Sequence, residues 1–189
     1  MKQELKEYVK IYKMLDKDFC ENLTDQLNQE GFNRHSFRSY DDTIEHSDID
    51  PTYSSADNQI DLKTYNIIMD QYYNVLEQYV NELEFPWFSA WNGYSPPKFN
   101  WYEEGTAMKN HCDHIHSLFK GNPRGIPTLS MITTVYNNCE GGEFTMFNTD
   151  TIYNIDVGEV IIFPSIFLFP HEVATVKKGK RITMVSWVY

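Results

Sequence analysis

From residue 98 onward the chain reads as a succession of short strand-like runs. They are "KFNWYEE", "AMKNHCDH", "TLSMITTVY", "GEFTMFN", "TIYNI", "EVIIFP", "HEVATV" and "RITMVSWVY". Gly, Pro and Asn punctuate them at Gly105, "GNPRGIP", "NNCEGG", Gly158 and "KKGK", and β-branched and aromatic residues fill them. So many short strands can bury their apolar faces only by stacking two sheets. The pattern predicts a sandwich or jelly roll, with any helices packed on one sheet, an α+β fold.

The first half differs. Residues 6–14, "KEYVKIYKM", alternate and predict a strand. Asp16 is placed to cap a helix over 17–30, with Phe19, Leu23 and Leu27 on one face and Gly31 as its stop. Residues 41–58, "DDTIEHSDIDPTYSSADN", are polar and predict a loop. A longer amphipathic helix follows over 59–84, where Ile68, Tyr72, Val75, Leu76, Tyr79 and Leu83 recur at helical spacing before Pro86. At 189 residues the chain has the length of one ordinary domain. Residues 1–90 are then helical support plus a strand, and 91–189 the β core.

A net charge of −11 opposes broad binding to nucleic-acid phosphates or anionic membranes. A neutral or basic partner, such as a protein segment, suits it better. No run of about 18 apolar residues is present, and "MKQELKEYVK" lacks the apolar core of a signal peptide. Cysteines 20, 112 and 139 are an odd number without framework spacing. Reduced thiols and a cytoplasmic location are expected.

The chemistry concentrates in "HCDHIH", His111 to His116. If 107–115 is a strand, His111 and Asp113 share one face, and Cys112, His114 and His116 share the other. A zinc site from Cys112, His114 and His116 is conceivable but lacks a fourth ligand at familiar spacing. His171, in "FLFPHEV", offers a different partner, with Arg181 ten residues later in "GKRIT". His-x-Asp, a long gap, then His is how neighbouring strands of a barrel present two imidazoles and one carboxylate, a set suited to non-heme Fe(II).

In these features the chain resembles the 2-oxoglutarate- and Fe(II)-dependent dioxygenases, in their prolyl 4-hydroxylase-like branch. The resemblance covers residues 99–189. Tyr102-x-x-Gly105 precedes His111-x-Asp113, Gly141-Gly142-Glu143-Phe144 is similar to the "GGE" strand, and "GEVIIFPSIFLFPHEV" is similar to the segment that delivers the second histidine. Arg181-x-Thr183 is followed by Trp187, six residues after the arginine. The texture of "GNPRGIPTLS" is similar to small phage-type members.

The resemblance implies a double-stranded β-helix, or jelly roll. It implies Fe(II) on His111, Asp113 and His171, with 2-oxoglutarate and O2 as cosubstrates and ascorbate as a candidate auxiliary. Arg181 would pair with the distal carboxylate of 2-oxoglutarate, Thr183 would add a hydroxyl, and Tyr102 and Trp187 would complete the cosubstrate pocket. Many relatives carry a Tyr on the strand before "GG"; counting back from Gly141, that position is Thr134, with Tyr136 the nearest tyrosine. The implied activity is hydroxylation of a C–H bond, of a prolyl residue in a protein or peptide, with release of succinate and CO2. Asp113 argues against halogenation, because halogenating relatives replace that carboxylate. The alternatives are the same chemistry on a free amino acid or another small molecule, or a non-catalytic jelly-roll binding module. Residues 116–128 and 41–58 are the candidate loops over the site.

Overall fold

A computed structural model of the protein describes residues 2–27, 31–38, 44–46, 53–55, 59–85, 91–113 and 127–189. The chain opens with a short helix, α1 (Lys2–Lys6), then β1 (Lys10–Lys13) and α2 (Lys17–Gln26). Four short strands follow: β2 (Asn33–Arg34), β3 (Ser36–Arg38), β4 (Ile44–His46) and β5 (Tyr53–Ser55). The long helix α3 spans Leu62–Leu83. The remaining strands are β6 (Lys98–Glu103), β7 (Met108–His111), β8 (Leu129–Gly141), β9 (Phe144–Met146), β10 (Thr151–Tyr153), β11 (Glu159–Pro164), β12 (His171–Val173) and β13 (Val176–Val188).

The strands form a seven-stranded sheet in the order β1-β11-β8-β13-β6-β5-β2, a four-stranded sheet β10-β9-β12-β7, and the hairpin β3-β4. The strand pairings are antiparallel. Period-2 alternation divides the core. Ile132, Ile161, Phe163 and Val185 of the large sheet meet Phe144 and Met146 of the small one in an inner cluster. The intervening residues Met131, Ile162, Ile182 and Met184 join an outer cluster with Leu23, Tyr72 and Leu76 of the helices. Two facing sheets with helices on the outer face of the larger one are the expected jelly-roll arrangement.

The helices form where predicted, with shorter bounds. The Asp16 carboxylate accepts from Phe19 N at 2.7 Å and caps α2, which ends at Gln26. The Asp61 carboxylate accepts from Thr64 N at 2.8 Å and caps α3. Glu84 then ends α3 in a left-handed conformation, and Pro86 lies outside the described residues. Burial on α3 follows the predicted stripe from Ile68 to Tyr79.

Several expectations are corrected. Residues 6–14 are not one strand: Lys6 closes α1 and only Lys10–Lys13 pair, with β11. The polar segment 41–58 contains β4 and β5, while 41–43, 47–52 and 56–58 lie outside the described residues. "NNCEGG" and "KKGK" are not simple turns. They extend β8 and β13, pairing Gly179 with Cys139 and Lys180 with Asn138. Two strands joined over 13 residues satisfy each other's backbone, which outweighs weak intrinsic strand preference.

One glycine locks the N-terminal segment to the barrel. The Gly158 carbonyl accepts from Met14 N and Leu15 N, both at 2.9 Å, and its own N–H donates to Thr134 O at 2.9 Å. Its φ is +88°, and a Cβ there would lie 2.2 Å from Leu15 O. Only glycine satisfies both constraints.

Candidate metal centre and cosubstrate pocket

β7 and β12 are neighbours in the small sheet, with His111 directly opposite His171. This pairing brings residues 60 positions apart into contact, with ring centroids 4.4 Å apart. The strand does not run through 107–115 as expected: β7 ends at His111, and Asp113 follows the strand rather than lying in it. Asp113 nevertheless turns to the same side, its Oδ1 at 3.4 Å from His111 Nε2 and 3.7 Å from His171 Nε2.

The tautomers follow from the backbone. His111 Nδ1 lies 2.6 Å from Lys109 O, and His171 Nδ1 lies 3.2 Å from Phe169 O. A carbonyl can only accept, so each Nδ1 carries the proton in these contacts. In the neutral ring each Nε2 then carries the lone pair, and both Nε2 atoms face one carboxylate oxygen. A metal-binding imidazole commonly has this support. The three donor atoms lie within 4.8 Å of one another.

Asp113 is almost fully buried, at 4% exposure. Its second oxygen, Oδ2, accepts from Ser130 Oγ at 2.6 Å, and Ser130 Oγ meets Ser165 Oγ at 2.8 Å. Burial pushes the Asp113 carboxyl up, but His171, His111 and Ser130 together hold it well below the usual carboxylate range. Burial against Phe144 and Phe163 takes the His171 imidazole down to about 4, against the pull of Asp113. Burial also works downward on His111, and there the Asp113 contact and the Lys109 carbonyl win and raise it. The set is one anionic carboxylate and two imidazoles, a donor set that fits a divalent ion such as Fe(II).

Deeper along the same interior lies Arg181 on β13, 4% exposed. Its Nη1 donates to Gly142 O, its Nη2 to Thr134 Oγ1 at 3.3 Å, and its Nε has no partner among the described residues. No described carboxylate lies within ion-pair distance of it. Burial lowers its pKa, opposed by Tyr102, Cys139 and Glu143. Burying a guanidinium without a counter-charge costs several kcal/mol. A carboxylate ligand supplies that charge and matches the planar fork.

Tyr102 lies opposite Arg181, and Thr183 is two residues on along β13, so both share its face. Both are about 2% exposed. Burial pushes the Tyr102 hydroxyl up to about 12, opposed by Arg181 and by its hydrogen bond with Thr183. Trp187 stands on the same face nearer the metal end, opposite Ser130, its Nε1 buried without a described partner.

The Thr134/Tyr136 ambiguity resolves geometrically. Thr134 faces Arg181, whereas the Tyr136 ring packs against the outer cluster, 5.0 Å from Lys180 Nζ. Cys112 is not one of the three grouped donors. His114 and His116, the other members of the zinc alternative, lie outside the described residues, as does most of the 116–128 segment. Ser130 and Ser165 were not anticipated. Their only sequence signal is the alternation of "TLSMITT", which puts Ser130, Ile132 and Thr134 on one face.

The profile of the family described as "2OG-Fe(II) oxygenase superfamily" matches residues 97–189. A PKHD-type hydroxylase of Prochlorococcus marinus (strain MIT 9312) is 31% identical over 77 residues, covering 40% of this chain and 34% of the relative. A PKHD-type hydroxylase of Thermosynechococcus vestitus is 31% identical over 99 residues, 49% of this chain and 42% of the relative. The matches thus span less than half the length of these relatives. Among solved structures, a viral collagen prolyl hydroxylase from Paramecium Bursaria Chlorella virus-1, complexed with 2OG, superposes with a TM-score of 0.64 at 14% identity, covering 96% of this chain and 94% of the other. A Pseudomonas putida prolyl-4-hydroxylase superposes with a TM-score of 0.64 at 17% identity, covering 96% and 91%. These two structures show the double-stranded β-helix fold. The matched profile falls on the strands that carry the buried triad and the arginine, and over residues 97–189 the chain is similar to the 2OG-Fe(II) oxygenase superfamily.

Proposed function

We propose that this protein is a 2-oxoglutarate-dependent Fe(II) dioxygenase that hydroxylates a C–H bond of a prolyl residue in a protein or peptide. One observation carries the reading: two imidazole Nε2 atoms converge on one carboxylate oxygen in the same buried interior as a guanidinium with no described carboxylate beside it. The first half of that arrangement suits a divalent metal, and the second suits a dicarboxylate cosubstrate.

In this reading His111, Asp113 and His171 hold Fe(II). Two neutral imidazoles and one carboxylate leave the loaded site with a single net positive charge, which favours a dianionic cosubstrate. When bound there, Fe(II) with 2-oxoglutarate and O2 supplies the hydroxylating power, with succinate and CO2 as co-products. Arg181 holds the distal carboxylate by its fork, and the hydroxyls of Thr134, Thr183 and Tyr102 complete that end. Ser130 fixes the rotation of Asp113, so that one oxygen faces the metal and the other is occupied. Phe144, Phe163 and Trp187 keep water from the interior.

The prolyl part rests on relatives: a viral collagen prolyl hydroxylase, a bacterial prolyl-4-hydroxylase, and a prolyl hydroxylase from Trichoplax adhaerens in complex with a hypoxia inducible factor peptide fragment. Residues 1–189 act as one domain in this reading, since α2 and α3 pack on the outer face of the catalytic sheet. A cytoplasmic setting agrees with the free thiols of Cys20, Cys112 and Cys139. No described helix is long and apolar enough to cross a membrane.

The test is anaerobic reconstitution with Fe(II) and 2-oxoglutarate, followed by oxygen and a panel of proline-containing peptides. Succinate formation and a gain of one oxygen on a peptide are expected. Folded, iron-loaded protein that forms no succinate with any member of the panel would overturn the reading.

A further inference from the structure

Lys98 opens β6 four residues before Tyr102, so it projects from the same strand face as Asn100 and Tyr102. The register agrees. Lys98 lies opposite Val185 of the inner cluster, while its neighbour Phe99 lies opposite Met184 of the outer one. Its position along the strand is about 13 Å from that of Tyr102, at roughly 3.3 Å per residue. This is too far to serve the carboxylate held at Arg181. It lies toward the metal end, where Ser130 and Trp187 face each other.

The ammonium there is half-buried. Its polar partner among the described residues is His35 Nδ1, at 3.3 Å. An ammonium can only donate, so this nitrogen of His35 is the acceptor in that contact. No described carboxylate lies within ion-pair distance of Lys98. Burial lowers its pKa, and the Asp113 charge opposes this from beyond that distance. The chain carries 27 acidic residues against 16 lysines and arginines, so a pairing carboxylate was readily available elsewhere. A partly desolvated ammonium with no described carboxylate beside it, at the metal end of an enzyme interior, is suited to an incoming anion.

We propose that Lys98, supported by His35, forms a substrate subsite that takes a carboxylate group, so that this enzyme selects substrates bearing a carboxylate near the hydroxylated carbon. The word substrate rests on the oxygenase reading above; the carboxylate subsite itself does not. The carboxylate has two possible sources: an acidic side chain in a peptide, or the α-carboxylate of a free amino acid. In both, Lys98 provides a point charge while the metal end presents the neighbouring carbon to oxidation.

The experiment uses the full chain loaded with Zn(II) and 2-oxoglutarate, which fills the site without turnover. Lysines carry 13C at Cε, and the Lys98 signal is assigned by its loss in Lys98→Gln. The probes are N-acetyl-prolyl-aspartate amide with its asparagine counterpart, and free proline with prolinamide. A carboxylate probe is expected to move the Lys98 signal while its carboxamide partner does not. Lys98→Gln should weaken that probe at least tenfold, and Lys98→Arg should retain most of the binding. Movement by the aspartyl peptide assigns a peptide substrate, and movement by proline assigns a free amino acid. A Lys98 signal unmoved by both carboxylates, or moved equally by the carboxamides, overturns the subsite. The oxygenase reading fails separately, if the Fe(II)-loaded wild type forms no succinate.

Discussion

Ser130 Oγ donates to Asp113 Oδ2 at 2.6 Å, and this bond leaves only Oδ1 to face the two histidines. The serine sits on β8 and the aspartate just past β7. The bond therefore ties the large sheet to the small one at the metal end.

Removing that bond should loosen the metal site without emptying it. Ser130→Ala is expected to lower divalent-metal affinity by roughly 10–100-fold, the usual worth of a partner that orients a ligand. Ser165→Ala, one step further out, should have a smaller effect. Co(II) titration followed by its visible absorption measures both. Wild-type affinity in Ser130→Ala would mean that Asp113 is held by the metal alone.

Arg181→Met should separate cosubstrate binding from folding. Affinity for 2-oxoglutarate is expected to fall by more than tenfold, since a charge-assisted pair of this kind contributes on the order of 2–3 kcal/mol. The ligand-free melting temperature should hold or rise, because a buried charge with no described counter-ion is replaced by an apolar chain. Calorimetric titration and thermal melts, with and without 2-oxoglutarate, give the two readings. An undiminished ligand-induced stabilisation would place the carboxylate elsewhere.

Cys112 lies between two of the proposed ligands yet should not be one. Cys112→Ser is expected to keep one metal per chain, and His111→Ala to lose most of it. Metal content after dialysis decides. Equal losses in the two variants would bring the sulfur into the site.

Far from the metal, Gly158→Ala should destabilise the fold by about 1–3 kcal/mol, the range for a residue forced into strained backbone. The added Cβ meets Leu15 O, so the contact between the N-terminal segment and the barrel must shift. Urea unfolding measures the loss. A wild-type midpoint would show that the Leu15 turn moves freely.

Local signals carried much of the fold. The apolar stripe of α3, the Asp16 cap and the strand cores "EVIIFP" and "KFNWYEE" were legible because period and capping act over a few residues. The His-x-Asp, His and Arg-x-Thr elements were legible for a related reason. Their residue types are ill-suited to a core unless something binds them.

The remaining features depend on partners distant in sequence. Strand pairing carried β8 through "NNCEGG" and β13 through "KKGK", overriding composition that reads as turns. Pairing likewise made strands of segments inside the polar stretch 41–58. The face occupied by Thr134 rather than Tyr136, the serine behind Asp113 and the contact of Lys98 with His35 all follow from which strands lie side by side. Alternation within one strand states which residues share a face. It cannot state what that face meets, because the neighbour is supplied by long-range pairing between sheets. Residue types and their spacing set the chemical inventory of the site; the packing of β7, β8, β12 and β13 set its geometry.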